Sequence, residues 1–201
     1  MLAAALAVCS LMACGPKTPP TVGPLVIPLA VRVYLPTALK EPEAVDILDN
    51  ASKLLQVAES SGDCACPVEL RLDSFGPFAS DGVVNTQSDF DALFADTFPN
   101  PLAANASEPD LAPRVRQVRV VSEIYWCDGA GPSVAGCADQ GGLRIAVTRR
   151  SAVLEGELWA HETGHTRGLH HRNNTWLAVM HEALLQDHKE LTVAECKKYR
   201  R

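Results

Sequence analysis

Residues 161–171 read HETGHTRGLHH, and this stretch decides the fold that we expect for the chain. It holds four of the six histidines of the protein in the spacing HExxHxxGxxH, and no histidine precedes it. The other two, His181 and His188, follow shortly afterwards and are expected to be solvated or rim residues. Because imidazole is the side chain that most commonly binds metal in proteins, this clustering indicates a metal site.

The first half of the stretch is predicted to lie on an amphipathic helix. Residues 152–167 contain no proline, and apolar side chains recur at intervals of three and four from Val153 to Trp159. Residues four apart share one face of a helix, so His161 and His165 can present two imidazoles to the same zinc ion.

The second half supplies a third ligand from another direction. Gly168 can adopt the left-handed conformation that ends a helix, after which His171 can approach the same ion. Three imidazoles leave the fourth tetrahedral position to water, which is typical of catalytic rather than structural zinc sites. Glu162 follows the first ligand and can take a proton from that water, so we expect it to act as general base and later as proton donor. His170 is the alternative third ligand.

The full pattern resembles the zinc-binding signature of the metzincin metalloproteases. The resemblance selects His171 over His170 as the third ligand and implies that Met180 lies in a tight turn beneath the zinc. Some members place a tyrosine two residues after this methionine, whereas this chain has Glu182 there, so no tyrosine ligand is expected.

The rest of the chain alternates strand and helix patterns, which predicts an α/β (α+β) fold. Strands are predicted over residues 25–36, 68–75, 114–127 and 143–149, and helices over residues 42–60, 88–98 and 152–167, with a final helix after a capping box at Thr192. The resemblance implies a twisted mixed sheet with an antiparallel edge strand, a backing helix, an active-site helix, a Met-turn and a C-terminal helix. Residues 133–137 are the candidate edge strand.

The N-terminus has the features of an exported lipoprotein. Residues 1–13 form an apolar run of signal-peptide length, and LMAC resembles a lipobox that would make Cys14 the lipidated residue. Residues 14–24 form a proline-rich tether, which leaves residues 25–201 as the metalloprotease domain. We expect a protein anchored in the bacterial cell envelope, at the outer membrane, that contacts membrane only through this lipid.

An exported protein is expected to pair most of its cysteines. Cys127 and Cys137 flank a glycine-rich loop and are predicted to form a disulfide. Cys64 and Cys66 are too close together for an easy mutual bridge, so one of them is predicted to pair with Cys196, and the remaining cysteine is predicted to be a buried free thiol.

Composition limits the possible partners. The 201 residues carry 18 lysines and arginines against 24 acidic residues, a formal net charge of −6, and no basic patch is interleaved with aromatic residues. We therefore expect no nucleic-acid partner and a monomer that acts on a protein or peptide. The leading hypothesis is a zinc-dependent endopeptidase. The alternatives are a non-catalytic, zinc-stabilised surface binding lipoprotein and a hydrolase of a non-protein amide.

Overall fold

The computed structural model describes residues 23–57, 66–95, 114–128, 134–183 and 190–201. Its strands are β1 (Leu25–Tyr34), β2 (Val68–Phe78), β3 (Val83–Val84), β4 (Arg116–Val121), β5 (Glu123–Ile124), β6 (Gly136–Ala138) and β7 (Arg144–Thr148). Its helices are α1 (Glu41–Val57), α2 (Gln87–Leu93), α3 (Ala152–Thr166) and α4 (Val193–Tyr199). The predicted signal peptide and Cys14 lie outside the described residues. Within the described part of the chain, no helix combines the length and apolarity needed to cross a membrane.

Five strands form one mixed sheet in the order β2-β1-β4-β7-β6. The first four are parallel, and β6 runs antiparallel to β7 at the edge. This confirms the predicted α/β fold with a mixed sheet and an antiparallel edge strand. The edge strand spans residues 136–138 rather than 133–137, and residue 133 lies outside the described residues.

The main core lies between the sheet and two helices, α1 and α3. Its buried side chains include Ile27 and Leu29 of β1, Leu48 of α1 and Leu158 of α3. The two helices approach closely at Gly156, where an added Cβ would lie 2.9 Å from the Cβ of Asn50. Helix α1 is therefore the backing helix of the predicted fold, and it fixes the position of α3.

Helix α3 differs from the predicted amphipathic helix. Val153, which the sequence pattern places on the apolar face, is 65% exposed. Every residue from 155 to 164 is buried. The reason is that α3 contacts α1, the strands β6 and β7, and α4, so almost its whole circumference is covered. The apolar spacing predicted the helix correctly, but the helix is buried on more sides than an amphipathic helix at the surface would be.

The strand predicted over residues 114–127 is two strands in the structure. After β4 the backbone amides of Ser122 and Glu123 both donate to the carbonyl of Gly82, at 2.8 and 3.2 Å. This contact turns the chain out of the main sheet, and β5 pairs with β3 in a separate two-stranded sheet. A continuous β-branched run does not reveal such a change of partner.

Two disulfides cross-link the described chain. Cys127 is bonded to Cys137 of β6, as predicted, and Cys66 is bonded to Cys196 of α4. Cys64, predicted as the alternative partner, lies outside the described residues. Helix α4 begins with the predicted capping box, in which the Glu195 amide donates to Thr192 Oγ1 at 3.2 Å and the Thr192 amide donates to the Glu195 carboxylate at 2.7 Å.

Candidate metal centre and cleft

The three predicted histidine ligands meet at one point. The Nε2 atom of His165 lies 3.0 Å from Nε2 of His161 and 3.1 Å from Nε2 of His171. The candidate ligand atoms all lie within 4.8 Å of one another, and this group could hold a metal ion. The one-turn spacing on α3 brings the first two together, and the chain reversal after the helix brings the third.

Backbone carbonyls orient the two helical imidazoles. His161 Nδ1 lies 2.8 Å from the carbonyl oxygen of Val179, and His165 Nδ1 lies 2.8 Å from that of Leu169. A carbonyl oxygen can only accept a hydrogen bond, so each Nδ1 must carry the hydrogen and donate it. In the neutral ring the Nε2 atom is then a bare lone pair, which is the form that binds a metal.

Burial keeps the imidazole of His165 neutral. The pKa of His165 is lowered from 6.5 to about 4, chiefly because burial disfavours the charged ring, with smaller contributions from His171 and His170. Burial also lowers the pKa of His171. Two lone pairs that face each other at 3.0 Å repel unless a cation lies between them, so the donor set fits a metal ion. Tetrahedral zinc with nitrogen ligands at about 2.0–2.1 Å would separate these nitrogens by about 3.3 Å.

The carboxylate of Glu162 lies buried beside this group. The residue is 4% exposed, and its Oε2 atom has no hydrogen-bond partner among the described residues. Burial raises the pKa of this carboxyl from 4.5 to about 8. A buried acidic oxygen without a partner is costly in a purely structural role, so its position indicates a use in binding or chemistry.

Glycine at position 136 makes room for this carboxylate. A Cβ at Gly136 would collide with Oε1 of Glu162 and would lie 2.7 Å from its Cδ. Gly136 is the first residue of β6, the edge strand, so the strand runs directly past the Glu162 side chain. The backbone of the edge strand and the carboxylate therefore face the same space.

Met180 lies in a tight turn packed against α3, as the resemblance implied. The His181 amide donates to the Ala178 carbonyl at 3.0 Å, which closes the turn, and Met180 is fully buried. A Cβ at Gly164 of α3 would collide with the Met180 sulfur. The Tyr199 hydroxyl of α4 donates to the Ala160 carbonyl at 2.8 Å, so α4 supports the same region of α3.

The chain reverses after α3 at Gly168, whose φ of +76° is the left-handed conformation predicted for it. Arg172, the residue after the third histidine, is then fixed in two ways. Its amide donates to the Met180 carbonyl at 2.8 Å, and its guanidinium donates to the Glu195 carboxylate at 2.9 Å. The segment that carries His171 is thereby tied to both the methionine turn and α4.

The remaining histidines lie outside the three-imidazole group. His170 is exposed and does not join it, in agreement with the choice of His171. His181, expected to be solvated or at the rim, lines the cleft but is buried rather than solvated, with its ring stacked on Trp176 at 4.8 Å between centroids. The tryptophan covers it, which sequence spacing did not reveal. His188 lies outside the described residues.

An open cleft of about 1000 Å³ contains the site. One wall is α3, and another is the edge strand β6 with its neighbouring residues. Its lining includes the three converging histidines, Glu162, Arg150 and the disulfide-bonded Cys127 and Cys137. The cleft is large enough to hold a bound ligand.

Sequence reasoning missed the residues that orient the site through their backbone. The carbonyls of Val179 and Leu169 fix the imidazole rings, yet every residue type carries a carbonyl, so no sequence signal identifies them. The role of Tyr199 also could not be predicted, because its contact with α3 joins residues 39 positions apart. Gly136 does carry a sequence signal, because a glycine within a strand often marks a place where another group approaches the backbone closely.

Comparison with known proteins gives a structural likeness only. No family model and no curated protein sequence matches the chain. Archaemetzincin from Methanopyrus kandleri superposes with a TM-score of 0.54 at 16% identity, covering 87% of this chain and 96% of that one. Mature mirolysin from Tannerella forsythia, solved with a cleaved peptide, gives 0.61 at 10% identity, covering 89% and 91%.

A third structure is metalloproteinase-II from Bacteroides fragilis, with a TM-score of 0.52 at 12% identity over 90% of this chain and 54% of that one. At these identities the likeness concerns the fold and not the activity. The chain has the fold of these metalloproteinase structures and presents a three-histidine group in its cleft.

Proposed function

We propose that this protein is a zinc-dependent endopeptidase. The observation that carries the proposal is the convergence of three imidazole Nε2 atoms beside a buried carboxylate that lacks a hydrogen-bond partner among the described residues. The metalloproteinase fold supports it.

The ligands would be His161, His165 and His171, with no cysteine or carboxylate completing the group among the described residues. Three nitrogen ligands with an open fourth position are the donor set of hydrolytic zinc sites, whereas structural zinc sites close all four positions. This arrangement favours a hydrolase over a zinc-stabilised binding module, because a binding module has no need for a buried carboxylate next to an open ligand position.

Zinc bound there would polarise the carbonyl of the scissile bond and lower the pKa of its water towards about 7. Glu162 would accept the proton from that water at its free Oε2 atom and then donate it to the amine leaving group. A bound cation also favours the ionised carboxylate, which offsets the effect of burial on the pKa of Glu162. Val179 and Leu169 would hold the imidazoles in the binding tautomer throughout.

The substrate would bind as an extended segment along β6. This strand is outermost in the described sheet, so its backbone groups on the cleft side are open to pairing with another strand. Gly136 leaves space there for the carboxylate to reach the paired segment. A protein or peptide substrate meets this requirement, because it offers a continuous ladder of amide and carbonyl groups.

We further propose that the domain, residues 25–201, is a monomer exported and anchored by a lipid on Cys14 in the bacterial outer membrane. The apolar run, the LMAC sequence and the proline-rich tether support this placement. The disulfides Cys66–Cys196 and Cys127–Cys137 are also in keeping with an oxidising compartment.

The test is digestion of a mixed peptide library by the zinc-loaded protein, with and without a chelator. We expect cleavage that the chelator abolishes and that zinc restores. Glu162→Gln should lose hydrolysis while it keeps about one zinc per chain. Glu41→Gln, at an exposed position of α1, is the matched control and should cleave as the parent does. Equal cleavage by the E162Q and E41Q variants would refute the mechanism.

A further inference from the structure

Apart from the proposed metal position, the lining of the cleft carries a single arginine, which lies just before α3. Arg150 is the only arginine or lysine that lines the cleft among the described residues, and its side chain is exposed. Its guanidinium makes no hydrogen bond or ion pair with the described residues. The acidic side chains of the lining are Asp128, Asp139, Glu162 and Glu182. A cation in this cleft without an acidic partner is therefore available to a ligand.

The backbone at Arg150 is fixed even though its side chain is free. Glu155 is 2% exposed, and one of its carboxylate oxygens accepts from the Arg150 amide at 2.9 Å and from the Arg149 guanidinium at 2.6 Å. The neighbouring Arg149 is thus used to hold the connection between β7 and α3. Arg150 extends from this fixed connection.

Arg150 continues the line of cleft residues along α3. Leu154, Leu158 and His161 follow it at intervals of four, four and three, and all line the cleft. The start of α3 at Ala152 lies about 13 Å from His161 at the usual helical rise. An extended peptide spans that distance with about four residues. A substrate side chain near this end would contact the apolar Leu154 along its stem and a guanidinium at its tip.

The rest of the cleft disfavours a carboxylate elsewhere. The carboxylates of Asp139 and Glu182 also line the cleft, and that of Asp139 is held by the Arg144 guanidinium at 2.6 and 2.9 Å. A substrate carboxylate placed near Glu182 would meet like charge. Apart from the proposed metal position, the part of the cleft at Arg150 is where a negative side chain gains an opposite charge without such a penalty.

We propose that Arg150 is a specificity-determining residue that selects substrates with a glutamate or aspartate within about four positions of the scissile bond. This inference deepens the proposed peptidase function and rests on it. The acidic side chain binds against Leu154 and forms an ion pair with the Arg150 guanidinium. Because this end of the cleft is open to solvent, the preference over the matching amide is about three- to tenfold and weakens with added salt.

The test uses binding and cleavage of one random octapeptide library. Peptides retained by immobilised, zinc-loaded E162Q protein are sequenced, and their ratio of Glu and Asp to Gln and Asn is compared with the input. The same measurement is made with R150Q and R150E in the E162Q background. Arg71→Glu, on the strand at the opposite edge of the sheet and 62% exposed, makes the matched charge change away from the cleft. Zinc content is measured for every variant to show that the site remains folded.

We expect the acidic enrichment to persist with R71E, to disappear with R150Q and to be replaced by enrichment of Lys and Arg with R150E. Unchanged enrichment in R150E, or none in the parent, would overturn the proposal. Cleavage of the same library by protein with Glu162 intact separates the two ideas. Enrichment that depends on residue 150 without any cleavage would support the acidic preference and refute the peptidase, whereas cleavage without such enrichment would refute the preference alone.

Discussion

Replacing Glu162 by Gln should make the metal-free protein more stable at alkaline pH. Burial raises the pKa of this carboxyl from 4.5 to about 8 in the folded protein. The folded state therefore binds the proton more tightly than the unfolded state does. The stability that this carboxyl contributes is fully present below pH 4.5 and is lost as the pH rises through about 8. The difference in pKa corresponds to about 5 kcal/mol.

Gln has the shape of the protonated carboxyl and does not ionise, so the E162Q variant avoids this loss. Urea denaturation in the presence of a chelator, at several values between pH 5 and 9, measures the free energy of unfolding of both proteins. We expect the parent to lose about 4 kcal/mol relative to E162Q across this range. The E41Q variant should follow the parent at every pH. Zinc should shrink the difference, because its charge favours the ionised carboxylate. Parallel stability curves for the parent and E162Q would refute the burial argument.

Three further perturbations follow from the same contacts. Gly136→Ala should reduce hydrolysis by about a hundredfold, because its Cβ displaces the buried carboxylate of Glu162. Gly76→Ala is the control, because its Cβ meets only a side-chain carbon at 4.0 Å. Equal rates of hydrolysis by the two variants would contradict the steric argument. Removal of the Cys66–Cys196 disulfide, which closes a loop of 130 residues, should lower the free energy of unfolding by up to about 5 kcal/mol, against about 3 kcal/mol for Cys127–Cys137. Denaturation of two variants, each with both cysteines of one disulfide changed to alanine, measures these losses. A larger loss for Cys127–Cys137 would contradict the loop-length argument. Dialysis followed by zinc analysis should show that zinc is retained at about pH 6 and lost towards about pH 4, because the lowered pKa of His165 delays protonation of this ligand. Loss of zinc already at neutral pH would contradict this prediction.

The parts of the site that depend on local spacing could be predicted from the sequence. His161 and His165 converge because residues four apart share a helix face, and Gly168 ends the helix because it has no Cβ to oppose a positive φ. The capping box at Thr192 likewise needs only its own residues. Each of these arises from contacts within about ten residues, which the sequence displays directly.

The parts that depend on distant contacts could not be predicted. The Val179 carbonyl orients His161 from 18 residues away, and nothing in its side chain marks it for that role. The burial of α3 on nearly all sides follows from the packing of α1 and α4, so the helix does not show the one-sided pattern of a surface helix. The change of sheet between β4 and β5 follows from the Gly82 carbonyl, 40 residues before Ser122.

The central claim is that three imidazoles hold one zinc ion and leave one position open beside Glu162. The most direct measurement is an anomalous difference map at the zinc absorption edge from crystals of the zinc-loaded protein. We predict one peak at about 2.0–2.1 Å from the Nε2 atoms of His161, His165 and His171, with no fourth protein ligand. A peak elsewhere, or a fourth protein side chain on the ion, would contradict the account.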